Sequence, residues 1–296
     1  MRSRTEIIMQ IIFWASGIAI ILFLAGILFT LLSNSLPALG EVGLLNFFRP
    51  GLWRPGAFGE PTYSINNFII GTFMVTMGAL AFAVPLGVAA AAYLSEIASP
   101  WERELFKPIV EVLAGIPSVV LGFIGLVILA PIIAKIFNIP SGINALNGAI
   151  LVGIMALPTV VSISEDALDA VPREYREASL ALGATRWETT IRVVLPCARS
   201  GLFAASMLGL GRAIGETMAV LMVAGNSMMV PGSIFDPVRT ITADIAAEMG
   251  ETVQGGLHYQ ALFGLGMVLF TITFVINLIT DLIFTKTSSV KRGASL

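Results

Sequence analysis

The stretch "VPREYREASLALGATRWETTIRVVLP", residues 171–196, is the most polar run in an otherwise apolar chain, and it is ordered rather than random. Pro172 suits the first position of a helix, Tyr175, Ala178 and Leu182 recur at helical spacing, and Gly183 can end the helix. The chain then restarts. Thr185 to Glu188, "TRWE", has the form of a capping box, and Trp187, Ile191 and Val194 make a second apolar stripe. The pattern predicts two short amphipathic helices joined at a glycine bend. Such a pair can be a rigid corner that projects toward a partner, or a hairpin lying along lipid headgroups, and the pattern alone leaves both open.

Around this segment the composition is that of a membrane protein. Of 296 residues, 56% are hydrophobic and only 12% are charged, and the mean hydropathy is +0.89. A bilayer core takes roughly 20 apolar residues per helix. Six stretches meet that need, at about 11–33, 66–95, 109–136, 146–168, 198–224 and 258–284. The first is longer than the roughly 7 to 15 apolar residues of a signal peptide and is read as an uncleaved span. With the N-terminus inside, twelve of the 17 basic residues fall in cytoplasmic segments, four (Arg49, Arg54, Lys135, Arg239) fall outside, and Arg212 lies within a span. This positive-inside bias places both termini in the cytoplasm. The expected organisation is a cytoplasmic N-terminus at 1–10, one transmembrane domain at 11–285 and a cytoplasmic tail at 286–296. Outside loops fall at about 34–65 and 226–257, and the polar cytoplasmic loop at about 169–197. The first outside loop is rich in Pro and Gly and reads as irregular, whereas "TITADIAAEMGE" (240–251) in the second reads as a short helix.

Several function classes are excluded. With a net charge of -2 there is no global basic face for nucleic acid. Cys197 and His258 are the only residues of their types, which leaves almost no material for metal sites or for Ser-His and Cys-His catalysis. None of the four lysines follows a glycine in the phosphate-loop pattern, so the chain does not bind ATP in that manner. No catalytic residue, metal ligand or cofactor is assigned.

Glu177, Ala178, Ser179, Gly183, Val193, Leu195 and Pro196 fall on the spacing of the EAA loop of ABC importer membrane subunits, with Ser for Ala at 179 and Val for Ile at 193. Further segments ("LWRPGAFG", "IVEVLAGIPSVVLGFIGL", "LGRAIGETMAV") are similar to the PstC-type permease subunits of phosphate-specific transporters, over about residues 50 to 225. The resemblance implies the type I importer permease fold, all-α with six transmembrane helices. It implies that Glu177, Ala178, Ser179, Gly183 and Trp187 form the coupling surface for a separate ATPase. The implied partners are a PstA-type permease, two ATPase copies that carry ATP and Mg, and an external phosphate-binding protein. Inorganic phosphate is the implied cargo and the bilayer the solvent.

Within the fifth stretch, "GLGRAIGETMAV" (209–220) carries Arg212 and Glu216 four residues apart. A lone charge at mid-membrane costs about 2.5 to 3.5 kcal/mol on insertion scales. On a continuous helix the two residues share a face and can pair, while Gly211 and Gly215 form a small-residue face for close helix approach. The pair is either a structural pin or an anion site. Arg offers a planar fork of donors suited to phosphate oxygens, and the resemblance favours the substrate path. Glu216 could also accept a hydrogen bond from protonated phosphate, which sulfate cannot supply. Pro85, Pro117, Pro131 and Pro158 read as kinks, "GIPSVV" as a candidate path element through Ser118, Glu111 and Asp281 as boundary residues, and His258 as an interfacial one. The rival readings are a permease for another oxyanion, a PstA-type partner, a self-sufficient anion transporter or channel, and an intramembrane hydrolase.

Overall fold

The computed structural model describes residues 4–56 and 61–292, and divides into two units. Residues 57–59 of "LWRPGAFG", and the extreme ends of both expected cytoplasmic termini, lie outside the described residues.

The first unit comprises residues 1–65 and 248–271. Its first helix, α1, runs Arg4–Val42 and continues through Pro37, so the irregular cap expected from residue 34 begins only after Gly43. The short α2 (Leu44–Phe48) and a two-strand hairpin, β1 (Trp53–Arg54) with β2 (Thr62–Tyr63), complete the cap. Here Trp53 is wholly buried, and its indole Nε1 donates to Glu248 Oε2 at 2.8 Å. His258 Nε2 reaches the same carboxylate oxygen at 2.8 Å, and the Tyr63 ring packs edge-on against Trp53. His258, at the start of the last candidate span, is therefore a half-buried member of an aromatic and carboxylate cluster.

The second unit, 66–247 with 272–296, holds the bundle core. Its elements are α3 (Asn66–Glu96), α4 (Pro100–Gly115), α5 (Ser118–Ile124), α6 (Ala130–Phe137), α7 (Ala145–Asp169), α8 (Arg173–Ala181), α9 (Arg186–Thr189), α10 (Leu195–Gly215), α11 (Met218–Val223) and α12 (Ile241–Glu248). The last helix, α13 (Leu257–Arg292), runs from the first unit into the second. Among the described residues six helices are long and apolar enough to cross a membrane: Ile8–Val42, Asn66–Glu96, Ser118–Phe137, Ala145–Asp169, Arg186–Gly215 and Leu257–Leu282. The predicted third and fifth spans need correction. Span three does not begin at residue 109, because α4 ends at Gly115 and the chain is extended at Ile116 and Pro117 before α5 starts. Pro117 has no N–H to continue a helix and biases Ile116 toward extended backbone. A π-helical turn at Gly125–Leu129 then joins α5 to α6.

Lipid tails are as apolar as leucine, so spans associate through close packing rather than through hydrophobic transfer. Span four, α7, is the most buried, and glycines let its neighbours reach it. Gly78 of α3 lies against Ala149, Gly153 of α7 against Phe82, and Val160 is fully buried between Gly87 of α3 and Gly209 of α10. At the end of the bundle where α7 leads into α8, Ala91, Leu168, Val171, Val194 and Ala198 form a second apolar cluster.

Candidate functional site: a polar handle and a broken span

The polar loop folds much as its caps dictate. Pro172 is the residue before α8 (φ -58°, ψ 138°) and not its first residue. Gly183, at φ 87°, takes the left-handed conformation that reverses the chain, a region costly to residues with a Cβ. The capping box is complete: Glu188 N–H donates to Thr185 Oγ1 at 3.2 Å, and Thr185 N–H donates to Glu188 Oε2 at 2.9 Å. The second helix is not separate, however. From Arg186 it runs through a π-helical turn at Thr190–Val194 directly into α10, so the corner is the start of span five. Its stripe splits accordingly: Val194 is buried in the bundle, while Trp187 and Ile191 are 64% and 42% exposed.

Of the five coupling residues expected, Glu177, Ala178 and Trp187 are exposed, and Gly183 makes the bend. Ser179 is half-buried, with its Oγ 2.9 Å from Thr189 Oγ1, so the serine that departs from the EAA pattern ties α8 to the foot of span five. Tyr175 and Leu182 are also open, at 54% and 90%. Exposed aromatic and aliphatic groups on a preformed corner are suited to burial against another protein.

Behind this face lies an ion network that the sequence reading missed. Arg176 pairs with Glu96, the last residue of α3, at 2.6 Å. Arg103 on α4 pairs with Glu165 at 2.8 Å and also with Asp169, both on α7, and Lys107 stands 3.5 Å from Glu165. Glu96 hydrogen-bonded to Arg176 holds that guanidinium above its ordinary pKa, against the opposing effect of burial. The bonds to Asp169 and Glu165 do the same for Arg103. In sequence these arginines were visible only as part of the positive-inside count; nothing local marks their partners, which lie 62 to 80 residues away.

The second feature is the break in span five. The expected continuous helix through 198–224 stops at Gly215, Glu216 is extended (φ -69°, ψ 128°), and α11 starts at Met218. Arg212 and Glu216 are therefore not successive turns of one helix, and no ion pair joins them among the described residues. Glu216 instead accepts the Ala219 N–H at 3.2 Å through Oε1, capping α11. Carbonyls freed by the break are taken up by threonines: Thr217 Oγ1 donates to Gly215 O at 3.1 Å, and Thr242 Oγ1 on α12 donates to Glu216 O at 2.9 Å. Irregular backbone at membrane depth requires such partners, and is tolerated where it is buried in protein or lines a cavity.

Arg212 is exposed on this chain and makes no hydrogen bond or ion pair among the described residues. Gly211 and Gly215 are open too, since a Cβ on either would meet nothing within 4 Å; the close helix approach falls to Gly209 instead. The break at Ile116–Pro117 adjoins this one. Gly122 of α5 packs against Ala219 and Met222 of α11, and Leu121 shares a core cluster with Ala219 and Val223. Ser118 is half-buried at the head of α5.

Six apolar helices, a polar handle between the fourth and fifth spans and two neighbouring breaks in the spans define a multi-pass, predominantly helical permease subunit of the type I importer fold. The chain belongs to the family of binding-protein-dependent transport system inner membrane components, whose model matches residues 83–289. It is 41% identical over 251 residues, 81% of each chain, to a probable ABC transporter permease protein, YqgH, of Bacillus subtilis. It is 39% identical to the phosphate transport system permease protein PstC of Mesorhizobium japonicum, covering 88% of this chain and 84% of that one. A Haemophilus influenzae PstC is 32% identical over 93% of this chain and 91% of its own. Among solved structures, a permease chain of a bacterial alginate ABC transporter matches with a TM-score of 0.63 at 14% identity, over 95% of this chain and 96% of that one. One from the MetNI methionine transporter matches at 0.55 and 20% identity, over 75% and 93%. Family membership makes this an inner-membrane permease component of a binding-protein-dependent transport system.

Proposed function

We propose that the chain is the PstC-type subunit of an ATP-driven inorganic phosphate importer, lining the translocation path together with a PstA-type permease. Two ATPase copies carrying ATP and Mg engage the handle at Glu177, Ala178, Ser179, Gly183 and Trp187, an external phosphate-binding protein delivers the cargo, and this chain binds no cofactor. Both termini are cytoplasmic. The observation that carries the reading is Arg212: a permanently charged fork of donors, open on this chain, at a break in a span flanked by open glycines. Support for phosphate as the cargo comes from the several PstC relatives at 32 to 39% identity. Glu216 uses one carboxylate oxygen to cap α11 and keeps the other for the proton of a phosphate monoanion or dianion, which favours phosphate over sulfate.

The test is radiolabelled phosphate uptake in cells lacking their own high-affinity system and expressing the whole complex, with assembly checked by co-purification of the ATPase. Arg212→Gln is expected to lower uptake by about tenfold or more, the loss of a charge-assisted contact of roughly 1.4 kcal/mol or above. Full uptake with Arg212→Gln removes Arg212 from the path. Glu216→Gln is expected to weaken the exclusion of sulfate, and unchanged exclusion assigns selectivity to the binding protein.

A further inference from the structure

The handle helix α8 buries none of its residues. Apolar packing therefore cannot be what fastens it to the spans, and its connection must be polar. Arg176 supplies that connection almost alone. Its Nε donates to both carboxylate oxygens of Glu96 (3.1 and 3.2 Å) and its Nη2 donates to Glu96 Oε1 at 2.6 Å. The same Nη2 donates to the Leu168 carbonyl at 2.8 Å, and Nη1 donates to the Val171 carbonyl at 2.5 Å. Glu96 is the last residue of span two, Leu168 belongs to the last turn of span four, and Val171 is two residues beyond its end. The final carbonyls of a helix have no intrahelical donors, and a cationic side chain is well suited to satisfy them. One planar guanidinium thus gathers the cytoplasmic ends of two spans and the first turns of the handle, with side-chain exposures of only 19% for Arg176 and 10% for Glu96.

We propose that Arg176 is the positioning residue that makes α8 and the inner ends of spans two and four move as one body, so that displacement of the handle by the ATPase reaches the bundle core. The proposal rests on the reading that the ATPase engages α8. Ser179, through Thr189, makes the corresponding tie to span five, so the handle is held to three spans by two of its side chains. A lysine cannot replace Arg176, because a single ammonium cannot hold a carboxylate side-on while also donating to two carbonyls on different sides.

The experiment is the complete complex in proteoliposomes with ATP inside, the external binding protein and inorganic phosphate outside, and hydrolysis and uptake measured on the same vesicles. Arg176→Gln and Arg176→Lys are expected to keep the ATPase bound and hydrolysing, while phosphate moved per ATP falls about tenfold. Glu96→Gln, which removes the charge partner but leaves the carbonyl contacts, is expected to give a smaller fall, about threefold. A merely structural role would reduce assembly, hydrolysis and uptake together, leaving phosphate per ATP unchanged in the complexes that form; that result overturns the proposal. If Arg176→Gln does not assemble, Glu96→Gln decides on the same ratio. A wild-type chain that fails to retain the ATPase refutes the functional reading instead, which the co-purification control separates from the outcome for Arg176.

Discussion

Val160 allows a test of how the bundle is packed, because its two γ-methyl groups sit in notches cut by two different helices. A β-carbon on Gly87 would lie 2.7 Å from Val160 Cγ1 and 3.0 Å from Val160 Cβ, and one on Gly209 would lie 2.7 Å from Cγ2. Ordinary contact begins near 3.4 Å, so Gly87→Ala must push spans two and four apart by at least about 0.7 Å or force Val160 off its rotamer. Overpacking of a tight core costs about 1 to 3 kcal/mol. Alanine recovers up to about 1 kcal/mol of helix propensity, as measured in water. The expected net destabilisation is about 1 to 2 kcal/mol. Val160→Ala alone loses packing contacts, but it also empties the space the new β-carbon needs, so the double variant should be more stable than the sum of the single effects by about 1 kcal/mol. Reversible unfolding of the purified chain in mixed micelles, titrated with SDS, measures all three. Gly87→Ala with wild-type stability, or strict additivity with Val160→Ala, refutes the notch. Gly209→Ala should repeat the pattern from the other side, with the same rescue.

A β-carbon on Gly183 would meet nothing within 4 Å, so Gly183→Ala tests backbone strain alone. At φ 87° the cost is about 1 to 2 kcal/mol, and amide exchange at Ala184 to Glu188 should accelerate by about tenfold, with Gly183→Asn less affected; unchanged exchange would show the bend relaxing freely. The start of α4 should be acid-sensitive. Glu102 accepts the Ser99 backbone N–H at 2.7 Å, and this contact, followed by bonds to the Ser99 and Tyr93 side chains, holds its carboxyl below the ordinary pKa. A depressed carboxylate contributes stability that is present above its unfolded value and is lost as pH falls through the folded one. Protection of the first α4 amides should therefore fade at acid pH in the wild type and show no such step in Glu102→Gln; a step that persists in the variant assigns it elsewhere.

Six spans, the positive-inside bias and the caps of the handle could be read from residues because each is a local signal: apolar runs, counted charges, Thr185 with Glu188, Gly183 after an amphipathic turn. The predicted helix at 240–251 likewise appears as α12 and the 3₁₀ turn that follows it, Met249–Glu251. Failures came where tertiary partners override local pattern. Between Leu210 and Val220 the only glycines are Gly211, which stays helical, and Gly215, and there is no proline. The span opens at the second because Thr217 and Thr242 can satisfy the freed carbonyls, and Thr242 stands 26 positions from the carbonyl it serves. Asn34 through Pro37 read as the start of a loop, but α1 carries them without interruption. Pro117, read as a kink, separates two helices outright. Glu165, at 2% exposure, gave no sign of its partners on α4, since a buried carboxylate is legible only once its cations are placed in space.

The helix that begins at the handle and ends at the break has a mechanical consequence. Residues Arg186–Gly215 form 30 residues of helix, roughly 45 Å at 1.5 Å per residue, against a hydrocarbon core of roughly 30 Å. At least about 15 Å of this rod therefore extends beyond the core at the handle end, with Trp187 near its tip. Trp187 and Arg212 are separated along it by roughly 38 Å. Pivoted at either end, a tilt of about 5° sweeps the other end through about 3 Å, the length of one hydrogen bond. A push small enough to leave every packed contact of the handle intact is thus enough, at the far end of the rod, to make or break a contact at Arg212.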